Sequence, residues 1–187
     1  PGAPTFVIAE AGSNHNGDLD KAKELIDVAA GAGADAVKFQ TFRAEDLYVE
    51  ESGEVEYLDD ERSIYEIIES MEMPYDWIPE LHEYCLDRGV QFMSTPFDEQ
   101  SAAELEEYVP AWKVASYTSS HVPFLRHLAA TNKPIIMSTG AHELAEVSES
   151  VATLRDAGGS DLALLQCVAA YPTPVSEINV RVVETLR

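Results

Sequence analysis

Positive charge is scarce in this sequence. The 187 residues carry 12 Lys and Arg against 34 Asp and Glu, a formal net charge of -22. Phosphate-rich polymers are held by a basic face, so nucleic acid is excluded as a partner, and an anionic membrane surface with it. Cysteine is scarce too. Cys85 and Cys167 are the two present, with no CxxC spacing, and two cannot build a disulfide framework. Both read as reduced, half-buried thiols. No apolar run approaches the roughly 20 residues of a membrane helix. No basic start followed by an apolar signal core opens the chain at Pro1, so a cytoplasmic location is the expectation. The GxGxxG, P-loop, HExxH and GxSxG patterns are all missing. Dinucleotide binding, zinc proteolysis and serine hydrolysis therefore lack their usual residues.

What is present is a rhythm. Short apolar runs at 6–12, 36–42, 91–97, 111–117, 134–140 and 162–171 alternate with amphipathic stretches, and hydrophobic residues make up 45% of the chain. Runs of this kind read as buried parallel strands, and the stretches between them as crossover helices. Asp18 and Asp98 stand where helix N-caps belong, and several helices run into Gly or Asn just before the next strand. Most of the acids fall on helices, as in ELHEYCLD and SAAELEEY. They read as a solvated acidic surface of the kind that salt screens, so a high-salt source is expected. Residues 43–64 interrupt the rhythm with a long acidic loop after the second strand.

The order β-α repeated, with a helix start at NVRVVETLR, fits either an open doubly wound sheet or a TIM (β/α)8 barrel. About six βα units are visible where a barrel needs eight. The barrel reading therefore treats residues 1–187 as the N-terminal part of one barrel domain, with the remaining strands beyond Arg187.

In parallel α/β folds, chemistry gathers at the carboxyl ends of the strands. Those ends carry Glu10, Asn14, His15, Lys38, Gln40, Ser94, Thr95, Lys113, Ser116, Thr118, Ser138, Thr139 and Tyr171. Two of the chain's five lysines, Lys38 and Lys113, lie inside apolar strands. A lysine there is costly unless an anion meets it. Two readings stay open: an internal carboxylate such as Glu10, or the phosphate or carboxylate of a substrate. Ser116, Ser138 and Thr139 would add hydroxyl donors suited to phosphate oxygens. Glu10 reads as a strand-end cap or as a general base. His15, in SNHNG, reads as a turn residue before a metal ligand, and His82, His121, His127 and His142 have no ligand spacing.

The motifs EAGSNHNG (10–17), GADAVKFQTF (33–42), STPFD (94–98), WKVAS (112–116), STG (138–140) and YPTP (171–174) together resemble the N-acetylneuraminate synthase family, which includes the legionaminic and pseudaminic acid synthases. The resemblance implies a (β/α)8 barrel followed by a small antifreeze-like domain beyond residue 187, and a homodimer at full length. It implies condensation of phosphoenolpyruvate with an N-acyl amino sugar such as N-acetylmannosamine, giving a nonulosonic acid and phosphate. The implied cofactor is a divalent metal, Mn2+ or Mg2+, with ligands expected beyond Arg187. By motif, Glu10, Lys38 and Lys113 would be catalytic. Thr95, Ser116 and Ser138 would cradle the carboxylate and phosphate, while Gln40 and Tyr171 would face the sugar. The chain departs from the family in two places. Gln166-Cys167-Val168-Ala169-Ala170 stands where HCT and then Asn or Ser are usual, and Thr118 stands where a carboxylate is common. A divergent member that binds without turnover, or another phosphoenolpyruvate-condensing barrel synthase, is the alternative.

Overall fold

The computed structural model describes residues 4–51, 62–159 and 161–187. The chain divides into two compact units, Pro1–Val109 and Pro110–Arg187.

In the first unit, strands β1 (Ile8–Gly12), β2 (Ala36–Thr41) and β3 (Gln91–Pro96) form a parallel sheet in the order β1-β2-β3. Helices α1 (Leu19–Gly31), α4 (Trp77–Asp87) and α5 (Glu99–Leu105) pack on it. Their apolar residues recur at helical spacing: Ala22, Ile26 and Ala29 in α1, and Ile78, Leu81 and Cys85 in α4 are buried. They meet the sheet face built by Val37, Phe39 and Phe92, the two phenylalanines stacking at 5.9 Å. Each such ring contributes about 2–3 kcal/mol by burial. The predicted caps form. Asp18 accepts from the amides of Asp20 and Lys21, and Asp98 from that of Ser101 at 2.6 Å. At the other helix ends, Gly89 has φ +72° and Asn132 φ +59°, so the chain turns through the left-handed region just before the next strand.

The second unit repeats the pattern with β4 (Trp112–Val114), β5 (Ile135–Ser138) and β6 (Leu162–Leu165), parallel and in that order. Helices α6 (Val122–Ala130) and α7 (Leu144–Asp156) pack on each other. Trp112 is fully buried, and its indole N–H donates to Thr131 Oγ1 at 2.7 Å.

Three boundaries differ from the sequence expectation. The fourth strand stops at Val114, not at 117, because Ser116–Thr118 form a 3-10 turn in which Thr118 Oγ1 donates to Ala115 O and Ser119 Oγ to Ser116 O. Short hydroxyl side chains offer the backbone this local alternative to a ladder. The sixth strand stops at Leu165, and its residues alternate between half-buried and exposed. It has one strand neighbour in its sheet, and Pro172 and Pro174 could not donate to a ladder further on. The acidic stretch after β2 is not loop throughout. It opens with α2 (Ala44–Leu47) and closes on α3 (Ile64–Glu69), which a Ser63–Glu66 capping box starts. Residues 52–61 of that stretch lie outside the described residues. The predicted helix start near the end appears as α8 (Val182–Thr185).

Candidate functional site

The register of the first sheet decides which side chains share a face. Glu10 pairs with Lys38, Lys38 with Met93, and Gln40 with Thr95. Side chains alternate along a strand, so Glu10, Lys38, Gln40, Met93 and Thr95 stand on the face opposite the helices. The Lys38 ammonium forms an ion pair with the Glu10 carboxylate and reaches Thr95 Oγ1 at 3.4 Å. Lys38 is 12% exposed and Glu10 47%. The internal carboxylate offered as one reading of Lys38 is therefore present, and it is the wetter half of the pair. Thr41 and Ser94 lie on the other face, where their hydroxyls bond at 2.7 Å in full burial.

A bulge re-aims the end of β1. Glu10 opposes Lys38, but Gly12 opposes Phe39, so Ala11 is the extra residue. Gly12 sits at φ +56° with Glu10, Asn14 and Gln40 around it, and a Cβ there would lie 3.3 Å from Glu10 Oε1. His15 follows. It is fully buried, accepts from Gly17 N at Nδ1 (3.1 Å), and meets Trp77 edge-to-face at 5.5 Å. Its Nε2 has no hydrogen-bond partner, and burial lowers its pKa below the usual 6.5. The expected turn role is the one the structure gives. Arg43, a cation just past β2, is committed elsewhere. It donates to Phe42 O, Met73 O and Glu72, and lies 3.7 Å over the Tyr75 ring.

In the second unit Lys113 pairs with Ile136, and Ser138, two residues on, with Leu165. Lys113 and Ser138 therefore share a face. Lys113 is 9% exposed and donates to Val114 O at 3.0 Å. Ser116 Oγ accepts from Gly140 N at 3.0 Å, and Ser138 Oγ accepts from the Cys167 thiol at 3.3 Å. Thr139 is turned the other way, its hydroxyl donating to Leu165 O. Gly140 is tightly enclosed. A Cβ would fall 3.0 Å from Ser116 Oγ and 3.1 Å from Cys167 O. Tyr171 is 86% exposed. Thr118 spends its hydroxyl on Ala115 O, and Ala169 offers its carbonyl to Tyr117 OH at 3.3 Å. A cavity of about 680 Å3 is lined by Thr139, His142, Gln166, Cys167, Ala169 and Asn179 among others, but not by Lys113, Ser116 or Ser138.

Sequence reasoning missed Gly12, Gly140 and Cys167. Gly140 could have been found as the small residue two positions past Ser138, whereas the bulge at Ala11 hides the place of Gly12. Cys167 sits in an apolar run and gives no such signal. Among the described residues no three His, Cys, Asp or Glu side chains gather to hold a metal. These residues by themselves do not make the divalent-metal site that the resemblance implies.

The family model described as NeuB matches residues 25–187. The chain belongs to the NeuB family. Among NeuB-like relatives, the spore coat polysaccharide biosynthesis protein SpsE of Bacillus subtilis is 45% identical over 186 residues, 98% of this chain and 50% of that protein. The N,N'-diacetyllegionaminic acid synthase of Legionella pneumophila is 39% identical over 190 residues, 97% of this chain and 53% of its own length. The chain thus spans about half the length of the curated relatives it matches. The crystal structure of the N-acetylneuraminic acid synthetase from Leptospira borgpetersenii, in complex with citrate, superposes with a TM-score of 0.88 at 29% identity, covering 98% of this chain and 61% of that one. The parallel strands with alternating helices are those of a partial (β/α)8 barrel, with six strands among the described residues.

Proposed function

We propose that the full-length protein is a nonulosonic acid synthase of the NeuB family, joining phosphoenolpyruvate to an N-acyl amino sugar. One observation carries the reading: each unit sets a largely buried lysine on the sheet face that also bears its hydroxyls, Lys38 with Thr95 and Lys113 with Ser138. A protein of net charge -22 holds an anionic substrate only where positive charge is concentrated in this way.

The reaction forms a bond from C3 of phosphoenolpyruvate to the aldehyde carbon of the open-chain sugar. The aldehyde oxygen takes a proton to become a hydroxyl, water adds at C2 with loss of one proton, and phosphate leaves with its bridging oxygen as the C2–O bond breaks and the C2 hydroxyl gives up its remaining proton to become the ketone. Glu10, half-exposed at the end of β1, is placed to take the proton that the water loses. Lys38 holds the phosphoenolpyruvate carboxylate and the charge that develops there, releasing Glu10 from the ion pair as the substrate carboxylate replaces it. Lys113, Ser116 and Ser138 donate to phosphate or carboxylate oxygens, with Thr95 supporting. Gln40, beside Gly12, and the exposed Tyr171 address the sugar. The Mn2+ or Mg2+ of the resemblance would be held by groups outside the described residues. A homodimer and a cytoplasmic setting complete the proposal.

A second reading, binding without turnover, is favoured by Thr118 and Ala169, which bring no free polar side-chain group to the second unit. Phosphate release from phosphoenolpyruvate by the full-length protein separates the two. The assay contains manganese, molar salt and a panel of mannosamine and 2,4-diamino sugars. Release that requires one sugar and is lost in Lys113→Ala is expected. Binding of phosphoenolpyruvate with no release for any sugar would replace the synthase by the second reading.

A further inference from the structure

Two serine hydroxyls of the second unit, those of Ser116 and Ser138, share a feature. A serine hydroxyl has one proton to give and two lone pairs to receive. Ser116 Oγ receives the Gly140 amide proton, and Ser138 Oγ receives the Cys167 thiol proton. No described group accepts the proton of either serine, although Ser138 is 5% exposed. Buried hydroxyl protons are ordinarily satisfied. Ser138 is buried and Ser116 half-buried, so the Ser138 proton above all points to an acceptor that arrives with a ligand.

We propose that Cys167 is a positioning residue for anion binding: its thiol occupies a Ser138 lone pair and so turns the Ser138 hydroxyl into a donor toward an anionic oxygen. Three observations converge on it. The thiol lies 3.3 Å from Ser138 Oγ. The Cys167 backbone is fixed against Gly140, where a Cβ would come within 3.1 Å of its carbonyl oxygen. Leu165, two residues before it, is registered opposite Ser138, which carries the chain after β6 to the same sheet end. Gly140 N does for Ser116 with a backbone amide what Cys167 does for Ser138 with a side chain. The chain's other cysteine contrasts with it. Cys85 is fully buried in α4, and burial pushes its thiol up to about 12.

The inference rests on the anion-binding part of the proposed function, and the test keeps the two apart. Dissociation constants for phosphoenolpyruvate and for inorganic phosphate are measured by calorimetry on the full-length protein and on Cys167→Ala, Cys167→Ser, Ser138→Ala and the Cys167→Ala/Ser138→Ala double variant. Cys167→Ala is expected to weaken binding roughly 5-fold, the worth of one ordinary hydrogen bond. Cys167→Ser, which keeps a donor, should stay within about 2-fold of wild type. On the Ser138→Ala background, loss of the thiol should cost nothing further. A purely structural cysteine would not show rescue by serine or this dependence on Ser138. Wild-type-like binding by Cys167→Ala, or an undiminished loss on the Ser138→Ala background, overturns the inference and leaves the anion site standing. A wild-type protein that binds neither phosphoenolpyruvate nor phosphate removes both.

Discussion

The Lys38–Glu10 pair allows function and stability to be pulled apart. Lys38 is 12% exposed and Glu10 47%. Removing Glu10 strands a nearly buried ammonium whose other contact is Thr95 at 3.4 Å. Removing Lys38 leaves a carboxylate that water already reaches. Glu10→Gln should therefore cost about 1–2 kcal/mol, less than for a fully buried pair because solvent screens the carboxylate. In a domain of this size that lowers Tm by roughly 2–8 °C. Lys38→Met, which fills the same space without a charge to desolvate, should be neutral or raise stability by up to about 1 kcal/mol. Activity should not follow stability: Lys38→Met should lose activity although its fold is intact. Losing the cation proposed to meet the substrate carboxylate should reduce kcat/KM about 100-fold or more. Urea unfolding of both variants, beside phosphate release, makes the comparison. If Lys38→Met destabilises more than Glu10→Gln while activity stays within about 3-fold, Lys38 is a structural ion-pair partner and the reasoning fails.

Gly140→Ala should lower activity and cost about 1–3 kcal/mol, since its Cβ would meet the Cys167 carbonyl at 3.1 Å and backbone does not yield readily; unaltered melting and kinetics would contradict this. His15 is held neutral by burial, its pKa lowered from 6.5. The unfolded chain takes up that proton first, so the contribution of His15 is complete above pH ~6.5 and shrinks as pH falls from there toward the lower folded value. Unfolding free energies of wild type and His15→Gln at pH 7.5 and 5.5 should diverge by at most about 1.4 kcal/mol per pH unit, and parallel curves would refute it. The net charge of -22 predicts that Tm rises with KCl from dilute buffer to molar concentration as self-repulsion is screened. A fold that is stable in dilute buffer and lost in molar salt would contradict this.

The existence and order of the six strands were legible because each is an apolar run set between amphipathic stretches. Their ends were less so. β4 loses residues to a 3-10 turn in which the Thr118 and Ser119 hydroxyls donate to the carbonyls of Ala115 and Ser116, and that competition is settled by geometry that hydropathy does not record. The Glu10–Lys38 pairing was within reach, since two parallel strands one crossover apart place their ends together. The Cys167–Ser138 contact was not. It spans 29 positions and depends on the register of β5 with β6, and a shift of one residue would turn every side chain to the other face. Gly12 was hidden similarly, because the bulge at Ala11 determines that its backbone lies against Glu10.

The proposed site holds phosphoenolpyruvate at the carboxyl ends of these strands. A crystal structure of the full-length protein with phosphoenolpyruvate tests it most directly. Anionic oxygens of the ligand are expected about 2.7–3.2 Å from Lys113 Nζ, Ser116 Oγ and Ser138 Oγ, both serine hydroxyls donating. Phosphoenolpyruvate bound away from all three, with the serines keeping only the Gly140 and Cys167 bonds they have now, would contradict it.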